Sequence, residues 1–137
     1  MNISSRCEYA CRAMVELSAH EQNVQPLPAT IIAERRAIPE KYLVHILLQL
    51  KRAGLVRSVR GAQGGYFLAR AADQITLFDV VRAIDGAVLD PLPVEDAEST
   101  VLAPAWREVA TGVEKVLTEY TFRDLLERSA KAHMYYI

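Results

Sequence analysis

Apolar positions along the chain repeat first at helical and later at strand spacing. In residues 5–19, Ala10, Ala13, Met14 and Leu17 fall at i, i+3, i+4 and i+7, one face of a helix. The polar, proline-marked stretch "EQNVQPLP" breaks that pattern and reads as a loop. A short second helix is expected over 28–37, with Pro28 in its first turn. Pro39 opens a third helix, whose apolar face is Leu43, Ile46, Leu47 and Leu50 and whose stop is Gly54.

The period then shortens. "LVRSVR" and "YFLAR" read as two strands joined by "GAQGG", whose three glycines let the chain turn through positive φ. "TLFDVVRAIDG" returns to helical spacing, with Leu77, Val80, Val81 and Ile84 on one face. Thr76 and Asp79 have capping-box spacing, and Gly86 is the stop. "AVLDPLPVEDAESTVLAP" is an acidic loop carrying prolines. Beyond it Leu102, Trp106, Val109, Val113, Val116 and Tyr120 are spaced 4, 3, 4, 3, 4, a heptad seam. Thr121 and Asp124 have capping-box spacing again and open a last helix through about Ala132.

Composition narrows the class. At 137 residues, with 51% hydrophobic and 24% charged positions, the chain suits one globular domain with a real core. The apolar runs are too short for a membrane span, and no secretory signal is visible at the start. Cys7 and Cys11 are the only cysteines and make no disulfide framework, which fits a cytoplasmic protein. Residues 1–70 carry ten Lys/Arg against five Asp/Glu, and residues 71–137 carry six against twelve. The net charge of -1 hides that asymmetry, which predicts a polyanion-binding face in the front half.

The basic excess is sharpest in "KRAGLVRSVRGAQGGYFLAR", Lys51 to Arg70, with five basic residues, four glycines and no acid. Three helices followed by a basic hairpin is the order of a winged helix-turn-helix. The expected fold is therefore mainly α with a small β wing, plus a long dimerisation helix. Residues 1–86 would form the DNA-binding region, 87–100 an effector-type loop and 101–137 the dimerisation helices, all within one structural domain. If the third helix buries its leucines, then Lys41, Val44, His45, Gln49 and Arg52 face outward, toward base edges or phosphates. Arg57 and Arg60 of the hairpin suit backbone or minor-groove contact, and glycine there permits close approach to a duplex. Thr30, Ser58, Gly61, Gly64, Gly65 and Tyr66 complete the candidate DNA-binding set. Leu102, Trp106, Val109, Val113, Val116 and Tyr120 are the candidate dimerisation set.

"YACRAM", "IAERRAIPEKYL", "ILLQLKRAGLVRSVRGAQGGYFLAR", "ITLFDVVRAIDG", "AWREV" and "YTFRDLLE" occur here in the order seen in the Rrf-two family of bacterial transcriptional regulators. The chain resembles that family over nearly its whole length. The resemblance implies a homodimeric winged-helix transcription factor, expected to repress from an inverted-repeat operator, with double-stranded DNA as partner. Its long penultimate helix would be the dimer element, and an unknown small molecule or protein could be its effector. Cluster-holding members of the family carry three cysteines in the loop before the "AW" helix, whereas Ala87 to Ala105 contains none here. Some redox members instead use two loop cysteines plus a carboxylate and a histidine on the first helix of the partner subunit. Glu8 stands at the carboxylate position, but Arg12 replaces the histidine. No cofactor or metal is therefore expected. Glu8, Cys7 and Cys11 remain the candidates for a redox or iron–sulfur alternative. A family member has Glu-Gln where Val44-His45 stands here, so its operator preference does not carry over.

The remaining residues read more plainly. Cys7 and Cys11 are small apolar residues flanking the Ala10/Met14 face. His20 and His133 are expected at the surface, and His45 on the DNA face. Trp106 is an anchor of the core or dimer seam rather than a pocket wall. The C-terminal "MYYI" gives no clear signal. No Ser/His/Asp or Cys/His arrangement emerges, and the glycine run leads into a strand rather than a helix, so neither an enzyme nor a phosphate loop is indicated. A winged helix used only for protein contacts would have no reason to exclude acids from twenty consecutive positions.

Overall fold

The Ser4 hydroxyl starts the first helix by accepting a hydrogen bond from the Cys7 amide at 3.0 Å, satisfying one of the amides a helix start leaves free. The computed structural model describes residues 2–89 and 99–135. Helix α1 is Ser5–Ala19, α2 is Ala29–Arg36 and α3 is Glu40–Arg52. Strands β1 (Val56–Val59) and β2 (Gly65–Leu68) follow, then a 3-10 turn at Ala72–Gln74 and helix α4 (Leu77–Asp85). Helices α5 (Ser99–Thr118) and α6 (Phe122–Tyr135) complete the fold. It is mainly helical with one small antiparallel sheet.

The core forms where the apolar faces meet. Leu43, Ile46, Leu47 and Leu50 of α3 are fully buried against Ala10, Ala13 and Met14 of α1, with Ile32, Leu55, Ile75 and Val80. Each buried leucine or isoleucine contributes roughly 1.5–3 kcal/mol relative to an exposed one. Pro28 and Pro39 each stand at the N-cap, one residue earlier than a first-turn position. The Pro28 carbonyl accepts from the Ile32 amide and the Pro39 carbonyl from the Leu43 amide, so both prolines begin the helical ladder. Gly54 follows α3 with φ +77°, as a helix-terminating glycine should.

The wing pairs Val56 with Leu68, Arg57 with Phe67, Ser58 with Tyr66 and Val59 with Gly65. Leu27 joins its edge: the Leu27 amide donates to the Tyr66 carbonyl at 3.0 Å, and the Tyr66 amide donates back at 2.9 Å. The glycines of "GAQGG" differ from the sequence expectation. Only Gly61 has positive φ, at +112°. Gly64 and Gly65 are needed for space instead. A Cβ on Gly64 would lie 2.2 Å from the Val59 carbonyl oxygen, and one on Gly65 would lie 2.5 Å from that of Leu27. Their close approach is to the protein's own backbone.

Helix α4 carries the expected capping box: the Asp79 amide donates to the Thr76 hydroxyl and the Thr76 amide to the Asp79 carboxylate. The Thr121/Asp124 box opens α6 in the same way. Two boundaries differ from expectation. Helix α5 begins at Ser99, so residues 99–104 are helical rather than loop, and Pro104 lies inside the helix. Proline there forfeits one backbone bond without ending the helix. Tyr120 falls beyond the end of α5, so the heptad seam stops at Val116; its ring instead lies 4.7 Å from the Arg128 guanidinium. Most of the expected effector loop, residues 90–98, and the terminal Tyr136 and Ile137 lie outside the described residues, as does the side chain of His133.

The C-terminal helices are tied to the winged region. The Leu77 amide donates to the Tyr120 carbonyl at 2.9 Å, and the Phe122 amide to the Ile75 carbonyl at 3.0 Å. Phe122 is fully buried in the main core.

Candidate nucleic-acid interface

Burial of four residues on one side of α3 decides what its other side presents. Lys41, Val44, His45 and Arg52 are exposed, Val44 to 51%. Gln49 is only half-buried and is held, because its Oε1 accepts a hydrogen bond from Arg6 of α1. Thr30 is exposed near the start of α2. Tyr42 and Leu48 are also exposed on α3, and the sequence reading missed both. Their spacing could have revealed them, since 41, 45, 48 and 52, and likewise 42, 45, 49 and 52, follow the helical repeat; their apolar character suggested burial. The Lys41 ammonium lies 5.0 Å from the centre of the Tyr42 ring.

The wing has two faces, because successive strand residues point to opposite sides. Ser58 and Tyr66 share the face toward α3, where the Lys51 ammonium donates to the Ser58 hydroxyl at 2.8 Å. Arg57 and Phe67 share the other face, so Arg57 and Ser58, both in the candidate DNA-binding set, point to opposite sides of the wing. Arg60 and Gly61 are exposed at the turn, Gly64 is half-buried, Gly65 buried and Tyr66 half-buried. Among the described residues, none of Lys41, Lys51, Arg52, Arg57 and Arg60 lies within ion-pair distance of a carboxylate. Arg12, Arg35, Arg36, Arg70 and Arg123 each do. Five cations without an ion pair among the described residues thus lie on α3 and the wing, where a phosphate backbone gains from them; Arg6, Arg82, Arg107, Lys115, Arg128 and Lys131, on the other helices, likewise form no such pair.

A buried carboxylate ties α1 to α2. Glu16 of α1 is 5% exposed and accepts from Arg36 Nε at 2.8 Å and Arg35 Nη1 at 3.2 Å, both from α2. Burial alone would raise its pKa; the hydrogen bonds and charges of Arg36 and Arg35 outweigh that and hold it below the ordinary value. His20, expected at the surface, belongs to this cluster: its Nε2 lies 2.8 Å from Glu16 Oε2, and its Nδ1 2.8 Å from the Asn23 amide nitrogen.

Helix α5 presents an apolar stripe. Leu102, Trp106, Val109 and Val116 each stand about half exposed. Val113 instead turns inward and packs against Cys7, Val81 and Val88. Cys7 is fully buried in that cluster and Cys11 half-buried beside it. The neighbouring Cys11 thiol lowers the Cys7 pKa, while the Cys7 thiol and burial raise that of Cys11. Glu8 is engaged with Arg12 Nε at 3.3 Å. Among the described residues no group of three His, Cys, Asp or Glu side chains is placed to hold a metal ion.

Residues 3–128 match the family model Rrf2, described as an iron-dependent transcriptional regulator. The chain is 34% identical to the HTH-type transcriptional regulator CymR of Bacillus subtilis over the full length of both. The solved structure of that CymR, described as the global cysteine regulator, superposes with a TM-score of 0.80 at 32% identity, over 93% of this chain and 98% of that one. A T. potens IscR structure superposes with a TM-score of 0.78 at 34% identity, over 98% and 96%. The donor set here does not fit the iron in the family's description. An iron–sulfur cluster is held by about four protein ligands, mostly thiolates. This chain has two cysteines, one helical turn apart on α1, and the carboxylate beside them is bound to an arginine. No described helix is long and apolar enough to cross a membrane, and the relatives are regulators rather than enzymes. A three-helix head, a basic wing and end-to-end likeness to known regulators make this chain a member of the Rrf2 family, a DNA-binding winged-helix transcriptional regulator.

Proposed function

We propose that the protein acts in the bacterial cytoplasm as a homodimeric repressor on an inverted-repeat operator, joined through the α5 stripe. The observation that carries this reading is the separation of two unsatisfied surfaces: unpaired cations on α3 and the wing, and half-exposed apolar side chains on α5. Lys41, Val44 and His45 read base edges from the start of α3, while Arg57 and Arg60 hold the backbone and Thr30 and Ser58 add polar contacts to it. Base contacts specify and phosphate contacts position. Two such heads related by a two-fold axis require half-sites about one helical turn, or a multiple, apart.

Binding-site selection at two salt concentrations tests the division of labour. Arg60→Ala weakens binding to all sequences and lowers the salt slope by about one unit. Lys41→Ala and His45→Ala change the preferred bases, each lost contact costing about 1–3 kcal/mol. A consensus that changes with Arg60→Ala, and not with the α3 variants, would reverse the assignment.

A further inference from the structure

Between the end of α1, the loop after it and the outer face of the wing lies a cleft of about 510 Å³. Ligand cavities run from roughly 300 to 1,000 Å³, so a small metabolite fits. Its chemistry is specific. Two guanidiniums, Arg57 and Arg70, line it, and among the described residues the only acid in its wall is Glu21. That carboxylate is already used: it accepts from Arg123 and, at 2.6 Å, from the Ala72 amide. Arg70 has a single distant partner, Asp79 at 3.5 Å. Arg57 has no acceptor among the described residues; it is exposed, and its guanidinium carbon lies 4.3 Å from the centre of the Phe67 ring. Buried Leu17 and Leu27 supply an apolar wall, and the exposed Asn23 carboxamide stands on the rim. A cleft that has, among the described residues, two under-partnered guanidiniums and no free acid selects a small organic anion. Guanidinium binds carboxylate or phosphate through paired N–H groups in fixed geometry, better than any neutral donor here could.

We propose that this cleft binds a small organic anion, a carboxylate or a phosphate monoester, and that occupancy weakens DNA binding by engaging Arg57. The proposal rests on reading Arg57 as a backbone contact of the wing. A ligand bound across Arg57 and Arg70 withdraws one cation from the duplex, and by linkage DNA must weaken the ligand by the same factor. Arg70, which belongs to the cleft and not to the DNA-contacting set, separates the two roles.

The test titrates succinate and glycerol 3-phosphate, at ionic strength held constant with chloride, into the full chain. NMR follows the Nε–H signals of Arg57 and Arg70, and a parallel titration follows affinity for a selected duplex. One of the two anions is expected to shift both arginine signals and to weaken DNA binding by about five-fold or more. Arg70→Gln, and separately Asn23→Glu, which adds a competing carboxylate at the rim, should abolish the anion effect and leave DNA binding without anion unchanged. An effect of succinate alone identifies a carboxylate ligand, and of glycerol 3-phosphate alone a phosphate. If neither anion moves the arginine signals, the proposal is overturned. It is also overturned if the loss of DNA affinity persists in both variants, which would mark general screening. Failure to select any duplex would instead refute the DNA reading, while the NMR shifts still decide whether the cleft binds.

Discussion

Arg57 and Phe67 face each other as register partners across the wing, with the guanidinium carbon 4.3 Å from the ring centre. Contact with the ring restricts the arginine before any ligand arrives, so less side-chain freedom is lost when it binds. At an exposed site such stacking contributes about 0.5–1 kcal/mol. Phe67→Leu keeps apolar volume and removes the stacking. Its expected effect is a small loss of DNA affinity that vanishes in an Arg57→Ala background, read by a double-mutant cycle of dissociation constants. Equal losses in both backgrounds would mean that the ring does not act through Arg57.

The hairpin glycines predict an ordering of defects. Gly64→Ala and Gly65→Ala force a Cβ into backbone carbonyls and should lower stability by about 1–3 kcal/mol, seen as a fall in thermal midpoint. Gly112→Ala, on α5 with open space around it, should be neutral or slightly stabilising.

The α5 stripe predicts which valine matters for assembly. Val109→Asp should give a folded monomer by light scattering, with operator affinity lost. Val113→Asp should also lower the melting temperature, because that side chain packs inside the monomer against Cys7 and Val81. A dimer that survives Val109→Asp would show that the stripe is not the interface.

Glu16 predicts an acid limb of stability. Its pKa is depressed in the folded state, so its contribution is present above the ordinary value of 4.5 and is lost as pH falls through the lower folded value. Glu16→Gln removes the buried partner and leaves the partly exposed Arg35 and Arg36 to solvent, so it should cost about 1–3 kcal/mol at neutral pH. Denaturant titrations from pH 7 downward should show the gap between wild type and variant closing below pH 4.5. A pH-independent gap would mean that the glutamate acts by packing alone.

The thiols predict a colourless protein. Purified without oxygen, it should contain no stoichiometric iron or sulfide and show no visible absorption band. Cys7→Ser with Cys11→Ser should leave DNA affinity unaltered. Iron at one cluster per chain would overturn this and direct attention to Glu8.

Local signals carried most of the fold. The bounds of α1, both capping boxes and the buried leucines of α3 follow from residues within one or two turns of each other, where spacing is informative. What depended on distant parts of the chain was illegible. Gly64 and Gly65 are glycine because of Val59 and Leu27, which no local rule reveals. His20 reads as a surface histidine until α2 brings Arg35 to it, within 2.8 Å of its Nε2. Arg57 looks equivalent to Arg60 in sequence, yet strand alternation and register turn it toward the cleft. Pro104 was read as a loop signal because proline usually ends a helix, whereas here the helix begins earlier and tolerates it.

The bonds from Leu77 to Tyr120 and from Phe122 to Ile75 weld the winged region to the junction of α5 and α6. In the proposed dimer this makes the molecule a caliper of fixed opening, in which the span between the two α3 helices is set by the fold rather than by a flexible tether. One added base pair between half-sites would turn one of them by about 35° around the duplex axis, given roughly 10.5 base pairs per turn. A rigid caliper cannot follow that rotation without bending DNA or breaking its own weld. Operator spacing should therefore be tolerated far less than a change of base, and the protein would distinguish its targets by their width as much as by their letters.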